Sequence, residues 1–146
     1  MAIKQISVFL ENKPGMLDAM TAVLADAGIS LRALSLAETK DFGIVRMIVA
    51  DVYQTANVLK ENDYICSMTP VVAVMIPDVV GGLNKVLNAL TAAKVNLEYM
   101  YSTLTGKQSG NAYMILRVEN ILKAEEALRA AGFKLADQDS MSELVQ

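Results

Sequence analysis

Phe9-Leu10-Glu11-Asn12-Lys13-Pro14-Gly15-Met16-Leu17 is where the alternation of a strand stops, a polar turn intervenes and the spacing of a helix begins. Pro14 has its φ fixed near helical values and lacks the N–H that a first helical turn leaves unpaired. It therefore fits the first position of a helix, with Asn12 supplying a side-chain cap just before it. Gly15 has no Cβ, so the backbone there can lie flush against a small solute. The N–H groups of Gly15, Met16 and Leu17 then point out of a helix terminus whose positive end suits a carboxylate. Alone, such a turn is an ordinary well-capped strand-to-helix connection; a second copy of the pattern gives it weight.

That second copy begins after Pro70. Val71 to Ile76 is an apolar strand, Pro77-Asp78-Val79-Val80-Gly81-Gly82 is a turn, and Leu83, Val86, Leu87, Leu90 and Ala93 form a helical stripe. Placing Gly15 over Gly81, an offset of 66 residues, also brings Leu17 over Leu83, Leu24 over Leu90, Ala27 over Ala93 and Ile29 over Val95. Strand, turn, helix and following strand coincide in one frame, which marks an internal repeat.

Working outward in the first copy, Ile6, Val8 and Leu10 alternate as a strand, and Met16, Leu17, Met20, Val23, Leu24 and Ala27 share one helical face. Gly28 stands at the helix end. Ile29 to Leu36 and Ile44 to Val49 read as strands joined by a polar hairpin, Val52 to Asn62 as a helix, and Tyr64 to Thr69 as a fourth strand closed by Pro70. In the second copy the hairpin, Thr105 to Asn111, is longer; Ala112 to Val118, Asn120 to Ala131 and Phe133 to Ala136 then repeat strand, helix and strand, followed by a polar tail. The order is β-α-β-β-α-β twice, so the fold class is α+β: two ferredoxin-like modules at 1–70 and 71–146, with antiparallel sheets and helices on one face. Modules of about seventy residues are marginal alone, and Thr69-Pro70-Val71 leaves no linker. They are expected to share a core or to join sheets edge to edge.

Composition narrows the chemistry. The 146 residues carry a net charge of -3 with no basic patch, which argues against nucleic acid or an anionic membrane as partner. No apolar run reaches the ~20 residues of a membrane span, and Met1-Ala2-Ile3-Lys4-Gln5 reads as a strand start and not a signal peptide, so a cytoplasmic location is expected. Histidine is absent and Cys66 is the single cysteine, which removes the commonest general base and metal ligands. No cofactor, metal or catalytic residue is expected, and Cys66, in an apolar run, reads as a structural thiol. Glu125 and Arg129 lie on a charged, solvated helix face. Tyr99, Tyr101 and Tyr113 fit either an aromatic pocket or strand packing.

The turn Leu10 to Leu17, the helix ending in Ala27-Gly28-Ile29 and the repeated element order resemble the ACT domain, a regulatory module that binds amino acids. The first copy is similar to the serine-sensing ACT domain of phosphoglycerate dehydrogenase, in which an Asn of the turn and another just after the first helix bind the amino acid at a domain interface. The resemblance implies Asn12 and Ser30 for these positions, with Leu10 where that domain has a ligand-binding His; in the second copy the positions fall on Asp78, Asn96 and Ile76, and Val80 replaces the turn proline. It implies a free-standing, non-catalytic sensor of a small amino acid. The candidate ligand residues are Asn12, Pro14, Gly15, Met16, Leu17 and Ser30 in the first copy, and Asp78, Gly81, Gly82, Leu83 and Asn96 in the second.

On residue chemistry, Asn12 and Asp78 offer oxygens to an ammonium group, Asp78 the more strongly, and Ser30 or Asn96 can approach from the adjacent strand. Asp78 is equally read as a helix cap, and Ser30 and Asn96 as solvated strand starts. A homodimer, or docking on a partner enzyme of amino-acid metabolism, is expected from exposed sheet edges. The competing expectation is an assembly subunit that pairs strands with a partner and binds no ligand.

Overall fold

The structure, a computed structural model, describes residues 3–103 and 111–143. Its elements are β1 (Ile3–Glu11), α1 (Met16–Asp26), β2 (Leu31–Glu38), β3 (Phe42–Val49), α2 (Val52–Glu61), β4 (Ile65–Pro77), α3 (Gly82–Ala92), β5 (Leu97–Ser102), β6 (Asn111–Val118), α4 (Ile121–Ala130), β7 (Leu135–Ala136) and α5 (Gln138–Glu143). The fold is α+β, with every strand pairing antiparallel and the β-α-β-β-α-β order present twice. Apart from Asn111, the long second hairpin lies outside the described residues.

Pro70 does not close a strand. One 13-residue strand, β4, runs through it and changes partner at that point: Ile65–Val71 pair with β1, and Val72–Pro77 pair with β6. A proline lacks a ladder donor, and the place where a strand exchanges one neighbour for another is where that donor is least missed. The strand order is β2-β3-β1-β4-β6-β5, with β7 beside β4, and a single bridge from Ala33 to Thr103 links the two ends of the path.

Three apolar clusters follow from this topology. Ile6, Val8 and Leu10 of β1 meet Met20 and Leu24 of α1 in one module; Val72, Val74 and Ile76 of β4 meet Val86 and Leu90 of α3 in the other. The opposite sheet faces supply a third cluster, in which Ile3, Ala33, Ile48 and Val71 pack against Ala73, Tyr101, Tyr113 and Ile115. Fully buried Gln5 closes this shared core. Its Nε2 donates to the Tyr99 hydroxyl at 2.8 Å and to Ser7 Oγ at 3.2 Å, and its Oε1 accepts from the Tyr101 hydroxyl at 2.6 Å. Burial holds the Tyr101 hydroxyl well above the usual phenol range, so it stays an O–H donor. The tyrosines are therefore packing and clasp residues.

The four long helices end alike. After α1, Gly28 N–H donates to Ala25 O and Ile29 N–H to Leu24 O; Lys94 and Val95, Asp63 and Tyr64, and Gly132 and Phe133 repeat the pair of bonds after α3, α2 and α4. The residue after each cap is left-handed: Gly28 at φ 72°, Lys94 at 58°, Asp63 at 65° and Gly132 at 89°.

Two surface expectations change. Glu125 is buried, 3.7 Å from Arg129, and does not sit on a wholly solvated face. The polar tail forms α5, which docks on the first module: Gln138 Nε2 donates to Val49 O at 3.0 Å and its Oε1 accepts from Lys4 N–H at 3.3 Å. Cys66 is half-buried against the first-module core.

Candidate functional site

Helix α1 begins at Met16, with Gly15 as its N-cap at φ 83°, ψ -6°, and α3 begins at Gly82 with Gly81 as N-cap at φ 82°, ψ 0°. Pro14 is thus outside the helix, and Asn12 does not cap it. A left-handed residue cannot continue a right-handed first turn, so the helix starts one residue beyond Gly15. Asp78 does not cap α3 for the same reason. A Cβ on Gly15 or Gly81 would meet nothing within 4 Å, so it is φ and not crowding that calls for glycine there.

The first intrahelical bond of α1 runs from Ala19 N–H to Gly15 O, and Met16 N–H turns back to Lys13 O at 3.4 Å. The amides of Leu17 and Asp18 are the ones that remain ahead of the ladder. In the second copy Gly82 N–H donates to Val79 O and Lys85 N–H to Gly81 O, which leaves Leu83 and Asn84.

In front of the first turn lies a cleft of about 220 Å³ lined by Leu10, Glu11, Asn12, Lys13, Met16, Leu17, Leu36, Glu38 and Gly43. Backbone bonds fix its rim, with Asn12 N–H donating to Asp41 O at 3.1 Å. The Asn12 amide Nδ2 donates to Glu38 Oε2 at 3.4 Å, which leaves its Oδ1 open. Lys13 Nζ lies 2.7 Å from Glu11 Oε2; this hydrogen bond, and then the charge of Glu11, hold the Lys13 ammonium above its ordinary value. The cleft thus has a carboxylate side, an amide side and an aliphatic wall.

The second turn has a cleft of about 170 Å³ lined by Ile76, Pro77, Asp78, Val79, Leu83 and Met114. Of the sequence-predicted residues, Asn12, Met16 and Leu17 come together at the first cleft and Asp78 and Leu83 at the second, while Pro14, Gly15, Gly81 and Gly82 shape the turns.

Ser30 and Asn96 line neither. Within its own module Ser30 stands at the far end of α1, whose 11 residues span about 16 Å, and its Oγ accepts from Arg32 Nη1 at 3.0 Å. Between modules the relation differs. β2 and β5 meet antiparallel at Ala33 and Thr103, and the Arg46 guanidinium lies 3.8 Å above the Tyr99 ring. The start of β5, after Asn96, is therefore directed toward the end of β2, where Glu38 borders the first cleft.

Glu38, Leu36 and Gly43 were missed by sequence reasoning. They reach the turn only through two strand registers, β3 on β1 with Leu10 opposite Gly43, and β2 on β3 with Glu38 opposite Gly43 and Leu36 opposite Val45, a non-local fact with no signal in the turn itself.

The molecule is thus a tandem ferredoxin-like protein, two modules around a common core, each offering a glycine-shaped strand-to-helix turn. The chain belongs to the ACT domain pair family, which it matches over residues 1–145. It is similar to the crystal structure of protein BT0572 from Bacteroides thetaiotaomicron, at 40% identity and a TM-score of 0.91, covering 99% of this chain and 98% of that one. It shares its fold with the ligand-free regulatory subunit of aspartate kinase from Thermus thermophilus, at 18% identity and a TM-score of 0.63 over 88% of this chain and 92% of that one. The aspartokinase alpha and beta subunits match at 18% identity and a TM-score of 0.58, covering 88% and 90%. No curated protein matches the chain. Among the described residues no helix is long and apolar enough to cross a membrane, and no cluster of three His, Cys, Asp or Glu residues could hold a metal.

Proposed function

We propose that this chain is a non-catalytic, cytoplasmic regulator that binds a small amino acid at its strand-to-helix turns and thereby alters the activity of a partner enzyme of amino-acid metabolism. The first cleft carries this reading. Its Glu38 carboxylate and Asn12 Oδ1 suit an α-ammonium, the amides of Leu17 and Asp18 suit an α-carboxylate, and Leu10, Met16, Leu17 and Leu36 suit an aliphatic side chain. Serine, the ligand of the similar sensing domain, belongs in the test, but Leu10 is buried and offers no donor where that domain has a histidine. A small aliphatic amino acid fits the lining better.

The post-helix residues act across the modules in this proposal: Asn96 approaches the first turn and Ser30 the second. A ligand touching both modules biases how they are arranged, which is how occupancy would reach a partner enzyme. The test is a thermal-shift and calorimetric screen of the twenty amino acids on the wild-type protein, Asn12→Ala and Asp78→Ala. A native-state binder at a hundred times its Kd stabilises by about 2.7 kcal/mol. A selective shift that one of the two variants weakens supports the reading and assigns the turn; a screen in which no amino acid raises the melting temperature overturns it.

A further inference from the structure

Gly43 is buried in the middle of a three-strand stretch, on β3 between Leu10 of β1 and Glu38 of β2. A glycine inside a strand loses more freedom on folding than any other residue and packs no side chain, so its place answers a need for an unusual backbone, a close neighbour or room. Its φ lies outside the left-handed region and its register with both neighbours is regular, so the backbone makes no such demand. Crowding by main chain makes none either. A Cβ there would lie 3.9 Å from Ala37 O and 4.0 Å from Leu10 O, ordinary contacts, and the one tight neighbour is the flexible end of Leu36, Cδ1 at 3.3 Å. What glycine supplies at this position is room.

That room belongs to the first cleft. Residues directly opposite on paired strands share a face, and Leu10 faces the core under α1, so Gly43 lies on the helix side of the sheet and floors the cleft of about 220 Å³. The hydrogen bond from Asn12 Nδ2 to Glu38 Oε2 joins the end of β1 to the end of β2, two strand spacings or roughly 10 Å apart, and therefore passes over the Gly43 end of β3. In the second copy the matching register position, opposite Ile76, is Ala112, and the cleft there is smaller, about 170 Å³.

We propose that Gly43 is a specificity-determining residue of the first turn: with Leu36 as the wall beside it, it sets how large an aliphatic side chain the cleft accepts, so that leucine is preferred to alanine. The inference rests on the amino-acid reading above and adds a size rule to it. With the α-ammonium held by Glu38 and Asn12 and the α-carboxylate by the amides of Leu17 and Asp18, the floor between Leu10, Leu36 and Gly43 is what remains for the ligand's side chain.

Calorimetric titration of alanine, valine and leucine into the wild type, Gly43→Ala, Gly43→Val and Gly43→Ala combined with Leu36→Ala tests the rule. The wild type is expected to bind leucine at least about tenfold more tightly than alanine, as extra methylenes in an apolar pocket allow. Gly43→Val should weaken leucine about tenfold or more and alanine less than about threefold. Gly43→Ala should move the ratio the same way by less, and adding Leu36→Ala should restore part of the leucine preference. Valine suits a strand, and the unliganded melting temperature checks that its variant folds. Gly43→Ala, which displaces only the end of Leu36, carries the test should the valine variant fail to fold. Equal losses for alanine and leucine in the Gly43 variants would mean that the glycine merely lets Glu38 reach the turn, and would overturn this inference alone, as would a wild type that binds alanine as tightly as leucine. A wild type that binds none of the three amino acids overturns it together with the aliphatic amino-acid reading on which it rests.

Discussion

At the first turn Glu11, Asn12 and Lys13 present three polar side chains to a cleft that Glu38 borders; at the second, Asp78 is the one carboxylate among Ile76, Pro77, Val79 and Leu83. Beneath these different surfaces the backbones agree, with Gly15 and Gly81 within a degree of each other in φ. The left-handed glycine belongs to the fold, since it redirects a strand into a helix; the side chains around it are free to differ in chemistry. The next residue separates the copies most sharply. Met16 is half-buried against the first-module core, whereas a Cβ on Gly82 would lie 2.5 Å from Pro77 O and 3.2 Å from Ile76 Cγ2. Gly82→Ala is therefore expected to cost about 3 kcal/mol, against about 1 to 2 kcal/mol for Met16→Ala. Equal melting temperatures for the two variants would erase this distinction.

The next largest effect is chemical. If the first turn is the more complete site, Glu38→Gln should weaken amino-acid binding about 10- to 100-fold, the worth of one charged hydrogen bond, while Asp78→Asn changes it less. Calorimetry on both variants decides which turn matters, and the reverse order would move the principal site to the second module.

A smaller contrast lies at the helix ends. Gly28 and Lys94 are matched residues in the same left-handed conformation, at φ 72° and 58°. Lysine pays a steric cost there that glycine does not. Lys94→Gly should stabilise the protein by about 0.5 to 1 kcal/mol and Gly28→Lys should destabilise it by about 1 kcal/mol, both read from denaturant midpoints. Opposite signs at equivalent positions are the test; matching signs would mean that the two caps are not equivalent.

What the sequence made legible is what short-range chemistry decides. Alternation in Ile6, Val8 and Leu10, the stripe through Met20 and Leu24 and the glycine after α1 each act within a few residues, and the repeat states each signal twice. Pro70 misled because its role is set by strands far away in sequence: it reads as a terminator until β1 and β6 are seen to divide β4 between them. Asn12 misled because a glycine inside a first turn and a left-handed glycine before it look alike in one letter. Glu38 was invisible because only strand register carries it to the turn.

The copies also end differently, and this gives the smallest prediction. The first module runs on into β4, while the second ends in α5, which folds back on the first through Gln138. The turn into α5 is held by the Asp137 carboxylate accepting from Ser140 N–H at 2.8 Å, and that backbone hydrogen bond keeps the acid below its ordinary value of 3.8. A depressed folded value means that the contribution is present above the unfolded value and is lost as pH falls through the folded one. Below about pH 3.8, the amide of Ser140 should therefore lose protection from exchange in the wild type. Asp137→Asn keeps a neutral acceptor and should show a flatter profile. Because Asp137 is fully exposed the change is confined to α5, and acid release of Gln138 from Val49 with no change at Gly15 or Gly81 would show that this strap belongs to the junction between the modules and not to either turn.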